Sequence, residues 1–359
     1  MGFGTISDPL LKFALVSSIG ALSVTIALLI GVLGSRGRLL YRQARERRIA
    51  ACWKPLIAEC AERLPATLPT LGTGELEGFL IIWCHAQESL RGDAQRHLRE
   101  MAKRLGVEAH LEMLLASGKL QRQLLAVISL GHLQSRDSIP MLLELVRDAP
   151  SVVSTNAARA LMRIDAQVAM PHVLEATAGR DDWALAHVVP AFAEVDPARV
   201  GPVLAAAITT ELYKERQGLR AGGVARLLAL HVTAHGAVLR EALLEVFTQS
   251  ETPSSLVAAL AALSHPQDIG HARRLLGHIH WPVRAAAAKA LGRLGTEEDF
   301  ALLREALTDR NWWVRYRAAQ ALCSLPRVTV AEVHDLARTL TDRFAADMLR
   351  LALAEREAR

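Results

Sequence analysis

The 359-residue sequence predicts an all-α protein: an α-solenoid of stacked antiparallel helix pairs with a period of about 31 residues, preceded by one transmembrane helix. Three observations lead there. Aromatic residues make up only 4% of the chain while Ala and Leu dominate, a balance that suits closely packed helices better than sheets. A run of 22 residues near the N-terminus carries no charge. The phrase WPVRAAAAKALGRLG, from Trp281, returns 31 residues later as WWVRYRAAQALCSLP, from Trp312.

The order of elements starts at the membrane. Residues 1–12 read as a short extracytoplasmic tail and residues 13–34, FALVSSIGALSVTIALLIGVLG, as the transmembrane helix. At 1.5 Å per residue these 22 residues make a rod of about 33 Å, against a hydrocarbon core of about 30 Å. Residues 35–52 form a basic juxtamembrane helix in which Arg36, Arg38, Arg42, Arg45, Arg47 and Arg48 meet anionic lipid head groups, at about 1 kcal/mol each. The other flank offers only Lys12 and the terminal amine against Asp8. The positive-inside rule therefore predicts a single-pass protein of the inner (cytoplasmic) membrane, N-terminus outside and the rest in the cytoplasm. Val32 and Gly34 could mark a signal-peptide cleavage site, but such peptides carry their positive charge before the apolar stretch, and here it follows.

The net charge of +5 and pI of 9.3 are local in origin. Six Arg and one Glu lie between Arg36 and Arg48, and residues 49–359 carry no net charge. A nucleic-acid footprint spreads over a folded face, so this placement argues against a nucleic-acid partner. Cys52, Cys60, Cys84 and Cys323 form no CxxC or metal-type pairing and read as small core residues in a reducing compartment.

Residues 53–116 are expected to be a helical N-terminal capping region, with WKPLIAECAERL and GELEGFLIIWCHAQESL bracketing the loop PATLPTLGTG. Residues 117–325 carry the repeats. Between Trp281 and Trp312 the register aligns Val283 with Val314, Arg284 with Arg315, Ala290 with Ala321 and Leu291 with Leu322; Leu130, Leu161 and Phe192 keep the same step earlier. LQSRDSIPMLLELVRDAPSVV from Leu133 also lies without a gap on LGTEEDFALLREALTDRNWWV from Leu294, placing Asp148 on Asp309. Each unit is an apolar helix, an Asp-bearing turn and an Ala-rich helix. Val314, Ala318, Ala321, Leu322 and Leu325 fall on one helical stripe. A pair of such helices cannot bury its stripe alone, so neighbouring pairs must stack. Between Pro197 and Thr252 the register slips. Residues 326–359 are expected to supply C-terminal capping helices.

The pattern of an apolar helix, a turn with Asp and then VRxxAAxAL resembles HEAT repeats, particularly the short bacterial kind similar to phycobilisome-lyase repeats. It fits at Val283 to Leu294 and Val314 to Leu325, less closely at Val153 to Met162, where Ser154 stands for the usual Arg. The resemblance implies a stacked fold and says little about activity. HEAT-fold metal hydroxylases carry His-Glu pairs in several repeats, and this chain has no His-Glu dipeptide. Repair glycosylases of similar helical repeats bind DNA through a basic face, whereas this array is neutral. Chromophore-lyase or repair chemistry stays the alternative that the resemblance leaves open.

No residue pattern points to catalysis, a cofactor or a metal. His271 and His278 share a helical face but lack a carboxylate or cysteine to complete a ligand set. Cys84 and His85, as sequence neighbours, point to different helix faces. LGTGELEG lacks the Lys and the strand of a phosphate loop. Arg315 and Asp309 read as structural, bonding across turns. Trp183 corresponds to Trp313, and both are expected to pack as turn residues on the next unit. The candidate partner-binding patch is Trp281, Lys289 and Arg293 on one Ala-rich helix with Trp312, Tyr316 and Arg317 on the next, since aromatic and Arg side chains anchor interfaces and packed helices lie about 8–10 Å apart. The expectation is a non-enzymatic scaffold or adaptor for a protein partner, such as a membrane enzyme or transporter. Ala-, Leu- and Arg-rich usage suggests a GC-rich bacterium and an accessory role in envelope or polysaccharide assembly.

Overall fold

The computed structural model describes residues 9–233 and 237–358, without the side chains of residues 9–17, 19, 21, 38, 42 and 233. Most of the expected extracytoplasmic tail and the side chains of Arg38 and Arg42 therefore lie outside the described residues. All regular structure among the described residues is helical. The chain divides into two compact units, Met1–Leu133 and Gln134–Arg359.

The first unit holds α1 (Pro9–Glu62), α2 (Leu76–Ser89), α3 (Asp93–Arg104), α4 (Val107–Ala116) and α5 (Leu120–Leu133). Helix α1 runs unbroken for 54 residues through the sequence boundaries expected after residues 34 and 52. Its two halves meet different surroundings. Every described side chain from Leu22 to Arg48 is exposed. From Ile49 onward, Ile49, Trp53, Ile57 and Cys60 turn one buried stripe toward the unit's core. There Trp53 meets Phe79 edge-on with ring centres 4.8 Å apart, and the Trp83 indole N–H donates to the Leu98 carbonyl at 2.8 Å. Gly106, at a φ of 65°, makes the left-handed turn between α3 and α4 that a side chain would strain.

The second unit contains α6 (Ile139–Asp148), α7 (Ser151–Gly179), α8 (Leu185–Ala193), α9 (Pro197–Arg216), α10 (Gly223–Leu228), α11 (Ala237–Gln249), α12 (Pro253–Ala262), α13 (Ile269–Leu275), α14 (Trp281–Leu294), α15 (Phe300–Ala306), α16 (Trp312–Ser324), α17 (Val330–Thr339) and α18 (Arg343–Glu357). Helix α7 is two helices joined at Asp165, whose φ of −155° and ψ of 93° interrupt the helical path. Polar N-caps set the starts of the last helices: Asn311 accepts from the Trp313 N–H at 3.0 Å and Asp342 from the Phe344 N–H at 2.8 Å. These caps are 31 residues apart, so the repeat register runs on through α17 and α18. The shared core is built from the stripes the spacing predicts, with Val283, Ala287, Leu291, Val314, Ala318 and Leu322 all buried.

Candidate functional site

The turns of the last repeats are tied by paired charges. Arg284 at the start of α14 donates from Nε and Nη2 to the Asp309 carboxylate at 2.7 and 2.8 Å, and Arg315 at the start of α16 reaches Asp342 at 3.0 Å. The partner Asp thus comes from the following repeat. Arg284 also donates from Nη1 to the carbonyls of His278 and Ile279 in its own turn, so all three nitrogens of its planar fork are engaged. Burial pushes the Asp309 carboxyl up, yet the bonds from Arg284 and the Asn311 N–H outweigh it and hold the carboxyl below its ordinary value. A second set joins the first helices of neighbouring repeats: Arg240 to Asp268 at 2.8 and 2.6 Å, and Arg273 to Asp299 at 2.6 and 3.2 Å.

With the buried stripes of α14 and α16 facing inward, the same 3.6-residue period carries Trp281 and Lys289 onto the exposed side of α14, and Trp312, Tyr316 and Gln320 onto one side of α16. Trp312 stacks on Tyr316 with ring centres 5.2 Å apart, and the Arg317 guanidinium lies 5.7 Å from the Tyr316 ring. The Tyr316 hydroxyl donates toward Glu355 of α18, with its oxygen 2.8 and 3.0 Å from the two carboxylate oxygens; Gln320 donates to both Tyr316 and Glu355. Beside this network, a cavity of about 500 Å³ opens between α14, α16 and α18, lined among others by Lys289, Arg317, Gln320 and Glu355.

Three of the six expected patch residues, Lys289, Arg293 and Arg317, line the cavity, and Tyr316 reaches it through its bond to Glu355, while Trp312 stacks on Tyr316 at the N-terminal end of α16. Trp281 stands at the N-terminal end of α14, 42% exposed. Arg293 has internal work as well. Its guanidinium donates to the carbonyls of Leu260, Ala261 and Leu263 at the C-terminal end of α12, and burial lowers its pKa. Arg356 does the same for the Cys323 carbonyl at the end of α16. Both cations offset the negative ends of helices, which leaves Lys289 and Arg317 as the cavity's outward-acting charges. Glu355, Gln320 and Arg356 escaped the sequence reading. The signal was present in the N-cap step from Asn311 to Asp342, which extends the register into what reads as a terminal cap.

Trp183 is buried, its indole N–H donating to the Ser154 hydroxyl of the preceding repeat at 2.8 Å and its carbonyl accepting from Arg226 further along the chain. Trp313 differs: it is 47% exposed and meets Trp312 edge-on at 4.7 Å. One repeat after Trp313 comes Phe344, itself 70% exposed. Among the arginines of the N-terminal segment, Arg45 donates to the Gly74 carbonyl, while Arg36, Arg47 and Arg48 are exposed on α1. Cys60, Cys84 and Cys323 are buried and Cys52 is exposed. Burial raises the Cys60 and Cys323 thiols. Cys84 is buried while His85 beside it is exposed, and His271 stacks on Phe247 at 4.8 Å.

Compared with known families, residues 107–193 and 237–323 match HEAT repeats. Both stretches are HEAT repeats. The gap between them, residues 194–236, largely overlaps the part of the chain where the 31-residue register slips. No curated protein matches the chain. Among solved structures, an engineered protein is 17% identical with a TM-score of 0.33, covering 84% of this chain and 94% of its own. Human deoxyhypusine hydroxylase in complex with glycerol is 18% identical with a TM-score of 0.28, covering 89% and 99%.

Proposed function

We propose that this protein is a membrane-tethered adaptor, whose HEAT array holds a protein partner on the exposed faces of α14 and α16 while the first half of α1 spans the bilayer. HEAT repeats serve as protein-interaction scaffolds, and that much follows from the matched stretches. The observation that carries the tether is the environment of α1. Leu22, Leu28, Ile30 and Leu33 are 58–66% exposed on a helix long and apolar enough to cross a membrane, and a row of large aliphatic side chains in water is unfavourable by about 25 cal/mol per Å². The exposed arginines that follow suit a cytoplasmic head-group layer. The partner surface is the patch of Trp281, Lys289, Arg293, Trp312, Tyr316 and Arg317, with stacked aromatic rings beside two outward-acting cations. Sharing one membrane raises the local concentration of a partner such as a membrane enzyme or transporter, so moderate affinity suffices.

The test is a mild-detergent pull-down of the full chain beside the Lys289→Glu/Arg317→Glu variant, followed by mass spectrometry and a carbonate wash of the membranes. The adaptor reading expects a stoichiometric protein with the wild type, its loss from a variant that melts like the wild type, and a chain that stays in the carbonate pellet. A chain that captures no protein ends the adaptor reading, and one released by carbonate ends the tether.

A further inference from the structure

Three successive turns on one edge of the second unit carry exposed large apolar side chains. Ile279 and Trp281, at the turn from α13 to α14, are 73% and 42% exposed; Trp312 and Trp313, from α15 to α16, are 48% and 47%; Phe344, from α17 to α18, is 70%. The opposite edge of the same repeats, where one pair joins the next, is different. Its segments GTEED from Gly295 and LPRVT from Leu325 bury Leu325 and expose Glu297 and Glu298. Earlier repeats expose smaller aliphatic side chains at the comparable turns, Val152 at 49% and Leu219 at 73%, and bury Trp183, so at these turns exposed aromatic rings are confined to the last ones. The aromatic edge therefore belongs to the last three helix pairs, spanning about 20 Å for helices packed about 10 Å apart.

Charge on this edge has one sign available. Its two carboxylates, Asp309 and Asp342, are bonded to Arg284 and Arg315. Arg310 and Arg343 remain at the surface; Arg343 lies 3.9 Å from Asp347 one turn further on, an exposed pair that water screens. Trp312 and Trp313 stand between these two arginines in sequence. The edge is also a line of turns, whereas the cavity between α14, α16 and α18 has walls.

We propose that this edge rests on the bilayer, with Ile279, Trp313 and Phe344 entering the interfacial layer, Trp281 and Trp312 at its margin, and Arg310 and Arg343 on anionic head groups. Indole rings favour that layer because one side of them is apolar and the N–H stays wet, and basic side chains beside them gain from the negative surface potential. The inference rests on the tethered reading for its nearness to lipid. It leaves Lys289, Arg293, Tyr316 and Arg317 to the partner, puts Trp281 and Trp312 at the boundary where the two surfaces meet, and makes the bilayer a second ligand of the array, one that fixes its orientation.

The full chain, reconstituted into phosphatidylcholine/phosphatidylglycerol vesicles with and without brominated acyl chains, tests this through tryptophan emission. Of the six tryptophans, Trp53, Trp83 and Trp183 are buried and Trp281, Trp312 and Trp313 are exposed, so contact quenching reports on this edge. Emission should fall in brominated vesicles, and Ile279→Ser/Arg310→Glu/Phe344→Ser, which keeps all six tryptophans, should lose most of that drop. These side chains are exposed, so the variant should melt like the wild type; Phe344→Ser alone serves if it does not. No quenching in a chain that resists carbonate overturns the edge while the tether stands. If carbonate strips the chain, flotation of the stripped protein with the same vesicles decides: binding that the triple variant loses supports the edge, and no binding overturns it. A triple variant that keeps its quenching but loses a co-purifying protein makes the edge a protein interface and overturns the inference.

Discussion

The two halves of the second unit solve one problem, how to join a helix pair to the next, in different ways. From α11 onward, four arginine–carboxylate pairs step along the array: Arg240 with Asp268, Arg273 with Asp299, Arg284 with Asp309 and Arg315 with Asp342. Between α6 and α10 the joints mix charged pairs with bonds to backbone carbonyls. Arg159 and Arg163 converge on Glu194, Arg180 donates to the carbonyls of Val146, Arg147 and Ala149, and Arg226 donates to those of Thr177 and Trp183. A repeated pair lets every joint be built alike. An individual joint depends on whatever large side chain fills it.

The largest effects should fall where a joint depends on one such side chain. Trp183→Ala empties a fully buried site and removes the bond to Ser154, so it should cost about 3–5 kcal/mol in chemical denaturation. Trp312→Ala removes a ring that is 48% exposed and should cost under about 1 kcal/mol while weakening partner capture. Equal losses at the two tryptophans would mean that the regular half is no less dependent on single side chains than the irregular one.

This difference also explains what the sequence discloses. The 31-residue step, the Ala-rich stripe and the turn Asp are side-chain features, so Val283, Arg284, Asp309 and Arg315 could be read at their places. The sequence leaves open whether each Arg meets the turn Asp of its own or a neighbouring repeat; in the structure the carboxylate comes from the following repeat, while Arg315 also donates to the Asp309 carbonyl in its own turn, a distinction that spacing cannot carry because a turn lies equally near both. Bonds from Arg180 and Arg226 end on backbone carbonyls, which every residue has, so nothing in the sequence marks the acceptor. The exposure of Lys289 was legible for the same reason the repeat was, because it lies on the face opposite the stripe; Arg317 lies at the stripe's flank and is half-buried. Glu355 and Gln320 were hidden because their role arises only when α18 closes over α16.

Next in size come the ladder pairs, and burial should rank them. Arg284 and Asp309 have side chains 7% and 14% exposed, so Arg284→Ala strands a carboxylate and should cost about 3 kcal/mol. Arg240 is 35% exposed but its Asp268 only 7%, so its loss also strands a buried carboxylate and should cost somewhat less, about 2 kcal/mol. The acid limb of stability separates them further. Because the folded Asp309 carboxyl lies below its ordinary value of 3.8, the pair's contribution is complete above that value and drains away as pH falls through the lower, folded one. Arg284→Ala should therefore flatten the loss of melting temperature below about pH 4. An unchanged acid limb would show that Asp309 does not rely on Arg284.

The smallest contrast concerns two glycines within the regular half. Gly292 in α14 lies so close to α16 that a Cβ would stand 2.7 Å from the Ala321 Cα and 2.8 Å from its Cβ, contacts that only a shift of whole helices can relieve. Gly270 in α13 has nothing within 4 Å of the same atom. Gly292→Ala should therefore cost about 1–3 kcal/mol despite the better helix propensity of alanine, and Gly270→Ala should stabilise by about 0.5 kcal/mol. The register makes this a sharp contrast, because Cys323 occupies the position of Gly292 one repeat later and a consensus of the repeats would treat the site as tolerant. If Gly292→Ala proves neutral, α14 and α16 can separate without penalty, and the regular half owes its order to the charged ladder rather than to close approach of its helices.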